Sequence, residues 1–448
     1  MTTSISSPLT PEAYEKVVSQ PTQKQEGLFP VSPVKKLVDE YKAREWSDDL
    51  IYTDAGDNEI TVSGYKPPIP NKDKERLLEV VIEHNRVFSQ KIEAAKEKDS
   101  GIIEKINAPA KTKFFVRADL HSDLASLLAQ LTLLQGKGLL DEGYNCAPGF
   151  QMIFLGDYMD RGINDIEVMT LLLRLRMQNP STVHLVRGNH EIIDTQTHYS
   201  NESVWLWENK ELFSTLYKSF PLALCLGEEK GRQDKKEKVG ERQFVHFSHA
   251  LFNPSVDLEP FLKGSDNLLV VKSQDSLPQR FIEAMKSSKP KKSVAAKLIK
   301  NLPKEATKNI EGYLWHDVGA TGPTSRGTSG YILSPEDIHK YAQLCGSKKA
   351  KLKAFVRGHQ HKFREGVVKR KDITKTKVVV STLAVGSGEG LQKKEFQDQK
   401  QQAILFEIAP RVRDWQKTPV FAEGEKKDLK LSFGNFSVPM YQEIGATA

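Results

Sequence analysis

The chain has 448 residues, of which 38% are apolar and 27% are charged, so it can bury a core larger than that of one small module. Its net charge of +7 is mildly basic, and we expect no nucleic-acid partner from so small an excess. Neither a CxxC pair nor an apolar run of about 18 residues occurs, so we expect a cytoplasmic protein without a transmembrane segment or a disulfide framework.

The first 110 residues differ in pattern from the rest of the chain. Residues 1–30 are rich in Ser, Thr, Pro and Gln, and this composition predicts a flexible arm. Two stretches of helical periodicity follow, Pro33–Trp46 and Lys72–Lys98, and the second carries an apolar stripe that should dock on another element. We therefore predict an N-terminal helical accessory region over residues 31–110.

From Lys111 onward, short apolar runs alternate with amphipathic helical stretches. Each run ends where a polar cluster begins, and the predicted strands are Phe114–Val116, Met152–Leu155, Val183–Val186, Phe244–Phe247 and Ala354–Val356. Predicted helices lie between them at Asp123–Gln135, with Ser122 as its N-cap, and at Asp165–Met177. This alternation predicts an α/β fold whose functional residues follow the strands.

We place the catalytic domain at residues 111–411, with two inserts and a C-terminal tail. The inserts are residues 227–243, which are almost entirely charged, and residues 256–308. The basic run Lys286–Lys300 in the second insert is either a solvated helical face or a docking surface for a partner or an acidic surface. Residues 412–448 form the tail, and their sequence does not indicate where they lie in the fold.

The polar clusters contain the side chains that divalent metals bind. Imidazole nitrogen together with carboxylate and amide oxygen suits borderline and hard divalent metals. In Asp119-Leu-His121 an extended backbone turns both polar side chains to one side. Asp157 can bridge two ions through its two oxygens, and a hydroxide between the ions would attack phosphorus in line. The planar fork of Arg161 matches phosphate oxygens.

GDYMDRG at residues 156–162, followed by LVRGNHE at residues 185–191, resembles the phosphoprotein phosphatase family of binuclear metallophosphoesterases. That family includes the catalytic subunits of serine/threonine protein phosphatases, and the similarity extends from about Lys111 to about Arg411. The resemblance implies a metallophosphoesterase-like β-sandwich flanked by helices. It also implies hydrolysis of phosphomonoesters on a phosphorylated protein substrate by a metal-bridging hydroxide. Serine/threonine specificity follows from the resemblance alone, and phosphotyrosine stays open.

Carried over by position, the resemblance implies the site residues. The residues that would bind the first metal are Asp119, His121 and Asp157. The residues that would bind the second metal are Asp157, Asn189, His249 and His359. His190, steadied by Asp160, would protonate the leaving oxygen. Arg161 and Arg326 would bind the phosphoryl oxygens.

The sequence departs from the family at several positions. Ala118 and Ser122 stand where the family has glycines beside the Asp-x-His pair. His361 forms a Gly-His-Gln-His stretch typical of the wider superfamily, in which the second histidine also binds the first metal. Asp317 is a further candidate from the Trp-His-Asp stretch. The implied cofactor is a pair of divalent metal ions, with manganese as the first choice and iron or zinc compatible with the same donors.

Two other functions remain as alternatives. A nucleotide or dinucleoside polyphosphate hydrolase would use the same metal ligands, although the sequence shows no aromatic pair for stacking a base near the site. A non-catalytic binding module would keep a vestigial metal site and use Lys286–Lys300 as its contact. Assays on phosphopeptides, on dinucleoside tetraphosphates and after addition of manganese separate these functions.

Overall fold

The fold is described by a computed structural model, with some segments left out of the description. The described residues are 34–44, 52–53, 59–60, 71–97, 100–162, 164–199, 202–228, 242–272, 279–286, 310–319, 322–323, 330–347, 349–359, 379–382, 401–409, 411–423, 430–433 and 438–439. The predicted arm, Arg326, His361, most of the insert at 227–243 and the basic run beyond Lys286 lie outside these residues.

Helices occur both before the catalytic region and between its strands. The described helices are α1 (Val34–Lys42), α2 (Asn71–Val87), α3 (Ser89–Ala94), α4 (Leu124–Gly136), α5 (Asp165–Gln178), α6 (Ile193–Tyr199), α7 (Ser203–Glu208), α8 (Lys210–Lys218), α9 (Glu259–Lys263), α10 (Gln279–Lys286), α11 (Glu311–Trp315) and α12 (Pro335–Leu344), with a 3-10 turn at Val412–Asp414. None of these helices has the length and apolar character that crossing a bilayer requires.

The strands extend from the accessory region to the end of the described chain. The described strands are β1 (Tyr52–Thr53), β2 (Glu59–Ile60), β3 (Ser100–Ala108), β4 (Lys113–Arg117), β5 (Phe150–Phe154), β6 (Val183–Leu185), β7 (Ala223–Glu228), β8 (Arg242–Ser248), β9 (Leu268–Lys272), β10 (Asp317–Val318), β11 (Gly322–Pro323), β12 (Tyr331–Leu333), β13 (Ala350–Arg357), β14 (Val379–Thr382), β15 (Gln401–Glu407), β16 (Gln416–Glu423), β17 (Lys430–Phe433) and β18 (Val438–Pro439).

Two large sheets pack face to face. The first has the order β17-β16-β15-β4-β5-β6, with β18 paired to β16, and the second has the order β14-β13-β8-β7-β3-β9. A small third sheet has the order β10-β12-β11. Strands β4, β5 and β6 are parallel neighbours in the first sheet, and β8 and β13 are parallel neighbours in the second. Parallel neighbours bring their carboxyl ends to one edge, where α/β folds place their sites.

The apolar runs form strands that are buried on both faces. In β4, Phe114 and Val116 join the core between the two sheets, whereas Phe115 joins the core under the helices. This alternation of faces has the period of two that a strand imposes. Helices α4 and α5 cover the outer face of the first sheet, and α11 and α12 cover that of the second. The predicted β-sandwich flanked by helices is therefore confirmed.

The structure differs from the prediction at both ends of the catalytic domain. Ser100–Ala108 falls in the predicted helical accessory region, but it forms β3, parallel to β7 and antiparallel to β9. The predicted tail supplies β16, β17 and β18 to the first sheet. The place of β3 depends on pairing with distant segments, which periodicity within one segment does not reveal. In contrast, β16 and β17 each pair antiparallel with the strand before them.

The N-cap of α4 also differs from the predicted residue. Asp123 is the N-cap, and its side chain accepts a hydrogen bond from the Ser126 backbone N–H at 2.9 Å. The predicted cap, Ser122, is one residue earlier, and its hydroxyl donates to Asp165 instead. A serine hydroxyl competes for several local partners, so its presence near a helix start does not fix the capping position.

The accessory helices pack against α5, the helix that follows the GDYMDRG motif. Leu37, Val38, Leu77 and Val81 are buried in the same core as the apolar face of α5. Beside this core, the Arg44 guanidinium donates to Glu167 at 2.9 Å and to Asp73 and Glu40 at 3.1 Å each. The accessory region is thus attached to the catalytic region by both apolar packing and ion pairs.

Replacement of Arg44 by alanine tests this attachment. We expect Arg44→Ala to lower the free energy of unfolding by about 1–3 kcal/mol, because the buried carboxylates of Asp73 and Glu167 lose a charged partner. The matched control is Lys35→Ala, which removes a cation from an exposed pair with Asp39. Urea unfolding should show a lower free energy of unfolding for Arg44→Ala and almost no change for Lys35→Ala. Equal losses in the two variants would contradict the role given to Arg44.

His246 is a core histidine on β8. It is fully buried, and its ring lies 5.3 Å from the Phe355 ring and 6.0 Å from the Tyr313 ring. Among the described residues neither ring nitrogen has a hydrogen-bond partner. Burial lowers the pKa of His246 from 6.5 to about 3, so the imidazole is neutral in the folded protein.

This buried imidazole predicts a measurable pH dependence of stability. Below pH 6.5 the unfolded chain gains a proton at His246 that the folded protein does not bind, so stability falls as the pH falls. We expect His246→Phe to reduce the loss of unfolding free energy between pH 7 and pH 4 by about 2–3 kcal/mol. Urea unfolding at both pH values measures it, and an unchanged pH slope would contradict the prediction.

Candidate metal centre

The predicted metal ligands converge at one edge of the sandwich, where strand ends from both sheets meet. All of them are buried, and they are Asp119, His121, Asp157, Asn189, His249 and His359. The loops that follow β4 and β5 are joined by hydrogen bonds from the backbone N–H groups of Leu120 and His121 to the Asp157 carbonyl, each 2.9 Å long. Across the sheets, the backbone N–H of His359 donates to Asp119 Oδ1 at 3.0 Å.

The Asp157 carboxylate lies at the middle of this group. Its Oδ2 is 3.3 Å from His249 Nε2, 3.6 Å from His121 Nε2 and 4.0 Å from His190 Nε2. Burial raises the pKa of Asp157, but the nearby imidazoles of His249, His190 and His121 outweigh it and hold the pKa well below its ordinary value. Asp157 is therefore a carboxylate surrounded by nitrogen ligands.

Two groups of three ligand atoms share this carboxylate. One consists of Asp157, His249 and His359, and the other of His121, Asp157 and His190. Within each group the ligand atoms lie within 4.8 Å of one another. Each group could hold a cation, and the two groups share the Asp157 side chain.

The donor chemistry of the first group fits a divalent cation. His249 Nδ1 lies 3.0 Å from the Leu155 carbonyl, to which it donates, and this hydrogen bond turns Nε2 towards the site. Nε2 then lies 2.7 Å from Asn189 Oδ1 and 3.1 Å from His359 Nδ1. Imidazole nitrogen, amide oxygen and carboxylate oxygen converge there, and such a mixed set suits manganese, iron or zinc.

The second group, His121, Asp157 and His190, differs from the ligands predicted for the first metal, which are Asp119, His121 and Asp157. His121 Nδ1 lies 3.2 Å from the Met159 carbonyl, which turns His121 Nε2 towards Asp157. His190 belongs to this group, whereas the predicted ligand Asp119 has its Oδ1 3.8 Å from His249 Nδ1. The assignment of Asp119 to the first metal therefore stays a prediction.

The residues predicted to handle the proton and the phosphate lie beside this group. His190 Nδ1 is 2.6 Å from Asp160 Oδ2, and Arg161 Nη2 is 3.2 Å from His190 Nε2. Burial, followed by the negative charges of Asp165 and Glu191, raises the pKa of Asp160 well above its ordinary value. Together with the short contact to His190, this shift favours a proton held between the two side chains.

The remaining candidates lie at the margin of the site or outside the description. Asp317 Oδ1 is 3.8 Å from His359 Nε2, the ring nitrogen that faces away from His249, and 3.6 Å from Arg357 Nη2. The position of Asp317 suits a residue that orients His359. Arg326 and His361 lie outside the described residues, so their predicted roles stay predictions.

Two acidic residues have structural roles that their motifs reveal only in part. The Glu191 carboxylate accepts backbone N–H groups of Asp157 and Gly188 at 2.8 Å and of Tyr158 at 2.9 Å, which joins the two central motifs. The RGNHE motif suggests that Glu191 pairs with Arg187 or with the backbone, but it does not indicate which backbone groups. Asp165 accepts the Asp160 N–H at 2.8 Å, and no motif indicates this contact.

The site loops adopt a backbone conformation that is unusual for residues with side chains. His121, Asp157, Asp160, Arg161 and His359 have φ values of 45°, 53°, 70°, 67° and 67°. Such conformations cost of order 1–3 kcal/mol each and persist only where neighbouring contacts determine them. The hydrogen bonds of Glu191 and Asp165 are contacts of this kind.

Gly188 is required by the close approach of the two central motifs. A Cβ atom at this position would lie 2.3 Å from the backbone nitrogen and Oδ1 of Asp157 and 2.6 Å from Glu191 Oε2. No L side chain fits without moving the carboxylate at the centre of the site.

Gly188→Ala should therefore damage the site and the fold together. We expect it to lower the free energy of unfolding by about 3 kcal/mol or more and to reduce the bound metal, because Asp157 must shift. Gly136→Ala is the matched control, since a Cβ there meets nothing within 4 Å and alanine favours the end of α4. Thermal unfolding and metal analysis distinguish the two, and a fully stable, fully loaded Gly188→Ala protein would contradict this account.

Comparison with known proteins supplies the family. Residues 112–363, more than half of the chain, match the family of calcineurin-like phosphoesterases. The chain therefore belongs to the calcineurin-like phosphoesterase family, and the prediction of a metallophosphoesterase is confirmed. Members of this family bind divalent metals, in keeping with the two groups of histidine and aspartate ligands.

Individual relatives are similar over short segments. A putative serine/threonine-protein phosphatase of Caenorhabditis elegans is 36% identical over 112 residues, which cover 25% of this chain and 22% of that protein. The Arabidopsis thaliana serine/threonine-protein phosphatase BSL2 is 26% identical over 182 residues, 36% of this chain and 15% of that protein. The chain thus spans less than a quarter of the length of either relative.

Solved structures of phosphatases are similar to this chain at low sequence identity. A serine/threonine phosphatase from Saccharomyces cerevisiae, with similarity to human phosphatase PP5, has a TM-score of 0.44 at 17% identity, covering 84% of this chain and 94% of its own. A cold-active protein-tyrosine phosphatase from a Shewanella species has a TM-score of 0.35 at 12% identity, covering 73% of this chain and 81% of its own.

Proposed function

We propose that this protein is a metal-dependent protein phosphatase that hydrolyses phosphomonoesters on phosphorylated protein substrates. The observation that carries the proposal is the buried Asp157 carboxylate, whose Oδ2 faces His249, His121 and His190, the last paired with Asp160. This combination provides positions for two cations beside a group that can donate a proton, as hydrolysis of a phosphate ester with a poor leaving group requires.

The proposed cofactor is a pair of divalent ions, with manganese as the first choice and iron or zinc also suited to the donors. The residues proposed to hold them are Asp119, His121, Asp157, Asn189, His249 and His359. When bound, the ions would activate water for attack on phosphorus and neutralise charge on the phosphoryl oxygens.

The chain's own residues would complete the site. Arg161 lies 3.2 Å from His190, so its guanidinium and the imidazole can contact the same phosphoryl group. Arg326 is proposed as the second cation on that group. His190 would then give its proton to the departing alkoxide oxygen while Asp160 holds its Nδ1 nitrogen at 2.6 Å.

The proposed substrates are proteins that carry phosphoserine or phosphothreonine. Both sequence relatives bear the name of serine/threonine-protein phosphatases, which supports this choice. Phosphotyrosine is the alternative within the same chemistry, since metal-activated water can attack phosphorus in either kind of ester.

A phosphopeptide panel tests the proposed function. Peptides with phosphoserine or phosphothreonine should release phosphate in the presence of Mn²⁺ and not in the presence of a chelator, and faster release from a phosphotyrosine peptide would favour the alternative. We expect Asp157→Asn and His190→Asn to lower kcat at least about 100-fold, because the first loses the shared carboxylate charge and the second the proton donor.

Assays on other substrates and the metal content provide the controls. Faster hydrolysis of a dinucleoside tetraphosphate than of any phosphopeptide would favour a polyphosphate hydrolase. A protein that binds no metal and stays inactive with added Mn²⁺ would favour a binding module. Full activity of metal-loaded Asp157→Asn or His190→Asn would refute the proposed mechanism.

A further inference from the structure

Ser122 and Asp165 connect the loop that carries His121 with the loop that carries Asp160. The Ser122 hydroxyl donates to Asp165 Oδ1, and the Asp160 backbone N–H donates to the same oxygen at 2.8 Å. Ser122 is fully buried and Asp165 is 1% exposed. A single buried carboxylate oxygen thus collects one donor from each loop, and hydrogen bonds to a charged acceptor are among the stronger ones.

The two loops are in close contact at this point. A Cβ atom on Gly162 would lie 2.6 Å from both the His121 carbonyl oxygen and Ser122 Cβ. The Ser122 backbone N–H also donates to the Tyr158 carbonyl at 2.9 Å. Movement of either loop therefore displaces the other.

The backbone at Ser122 indicates that its hydroxyl has a specific use. Ser122 has a φ of 64°, a left-handed conformation that glycine adopts without steric cost and that other residues adopt rarely. Glycine would fit this backbone without strain, whereas serine provides a hydroxyl that donates to Asp165. The hydroxyl is what serine adds at this position.

The position of Asp165 is fixed by the start of a helix. It is the first residue of α5, where the helix dipole favours a negative charge. Two residues later, Glu167 accepts from Arg44 of the accessory region at 2.9 Å. The start of this helix is therefore also attached to the accessory region.

We infer that Ser122 and Asp165 are positioning residues that orient the Asp160–His190 pair for proton transfer to the leaving oxygen. Asp165 holds the Asp160 backbone in a conformation with a φ of 70°, from which Asp160 Oδ2 reaches His190 Nδ1 at 2.6 Å. Neither residue contacts the substrate in this role. The inference rests on the proposed phosphatase function and assigns two further residues to its acid-transfer step.

The test compares two phosphate esters with the full-length protein in Mn²⁺. In a phosphoserine peptide the serine oxygen leaves as an alkoxide that needs a proton. In p-nitrophenyl phosphate the leaving group is a phenolate that needs none. For Asp165→Asn we expect kcat on the peptide to fall about 10–100-fold and kcat on p-nitrophenyl phosphate to fall less than about 3-fold, with KM nearly unchanged. Asp266→Asn, at an exposed position, is the matched control and should change neither.

Ser122→Gly separates the hydroxyl from the backbone. Glycine suits the φ of 64°, so this variant should fold even if Asp165→Asn does not, and it should show the same selective loss on the peptide. The double variant should be no slower than the slower of the two single variants, because Ser122→Gly removes one donor of the link and Asp165→Asn removes the charge of its acceptor.

The outcomes distinguish this inference from the proposed function. Equal losses on both esters, no loss in Ser122→Gly, or multiplied losses in the double variant would overturn the positioning role. Hydrolysis of neither ester by the unmodified, metal-loaded protein would instead overturn the proposed phosphatase function. Thermal unfolding and bound metal, measured on each variant, identify a loss that comes from unfolding.

Discussion

The structure depends on the burial of one carboxylate among imidazoles. Asp157 is 1% exposed, and a charge in such a place is costly unless neighbouring groups compensate it. His249, His121 and His190 supply that compensation at Asp157 Oδ2, and the His190 backbone N–H donates to Oδ1 at 3.0 Å. Because these partners come from separate strands of two sheets, the whole sandwich is needed to assemble them.

The sandwich meets this need by placing parallel strand ends at a common edge. Strands β4, β5 and β6 deliver their loops from one sheet, and β8 and β13 deliver His249 and His359 from the other. The hydrogen bond from His249 Nδ1 to the Leu155 carbonyl crosses between the sheets. The core that holds the sheets together therefore also fixes the distance between the ligands. A change in the packing of the core would change the geometry of the site.

Sequence reasoning finds the parts of this arrangement that are local in the chain. GDYMDRG, RGNHE and the strands before them are recognisable because motif and apolar run lie side by side. The strands after residue 412 are missed although β16 and β17 each pair with the strand before them. Ser100–Ala108 is missed because its partners β7 and β9 lie far along the chain. Asp165 is missed for the same reason: its partner Ser122 belongs to a different loop, and no spacing rule joins them.

The left-handed backbone at Ser122 is explained by its contact with Asp165. Taken alone, serine is unfavourable here, because it puts a side chain where the backbone favours glycine. Together with Asp165, it creates a buried hydrogen bond that helps to hold the strained Asp160 and Arg161 backbone. A strained residue persists only where its surroundings over-determine it. The serine and the aspartate therefore form one feature of this chain, in which the strain of the first is compensated by the contact with the second.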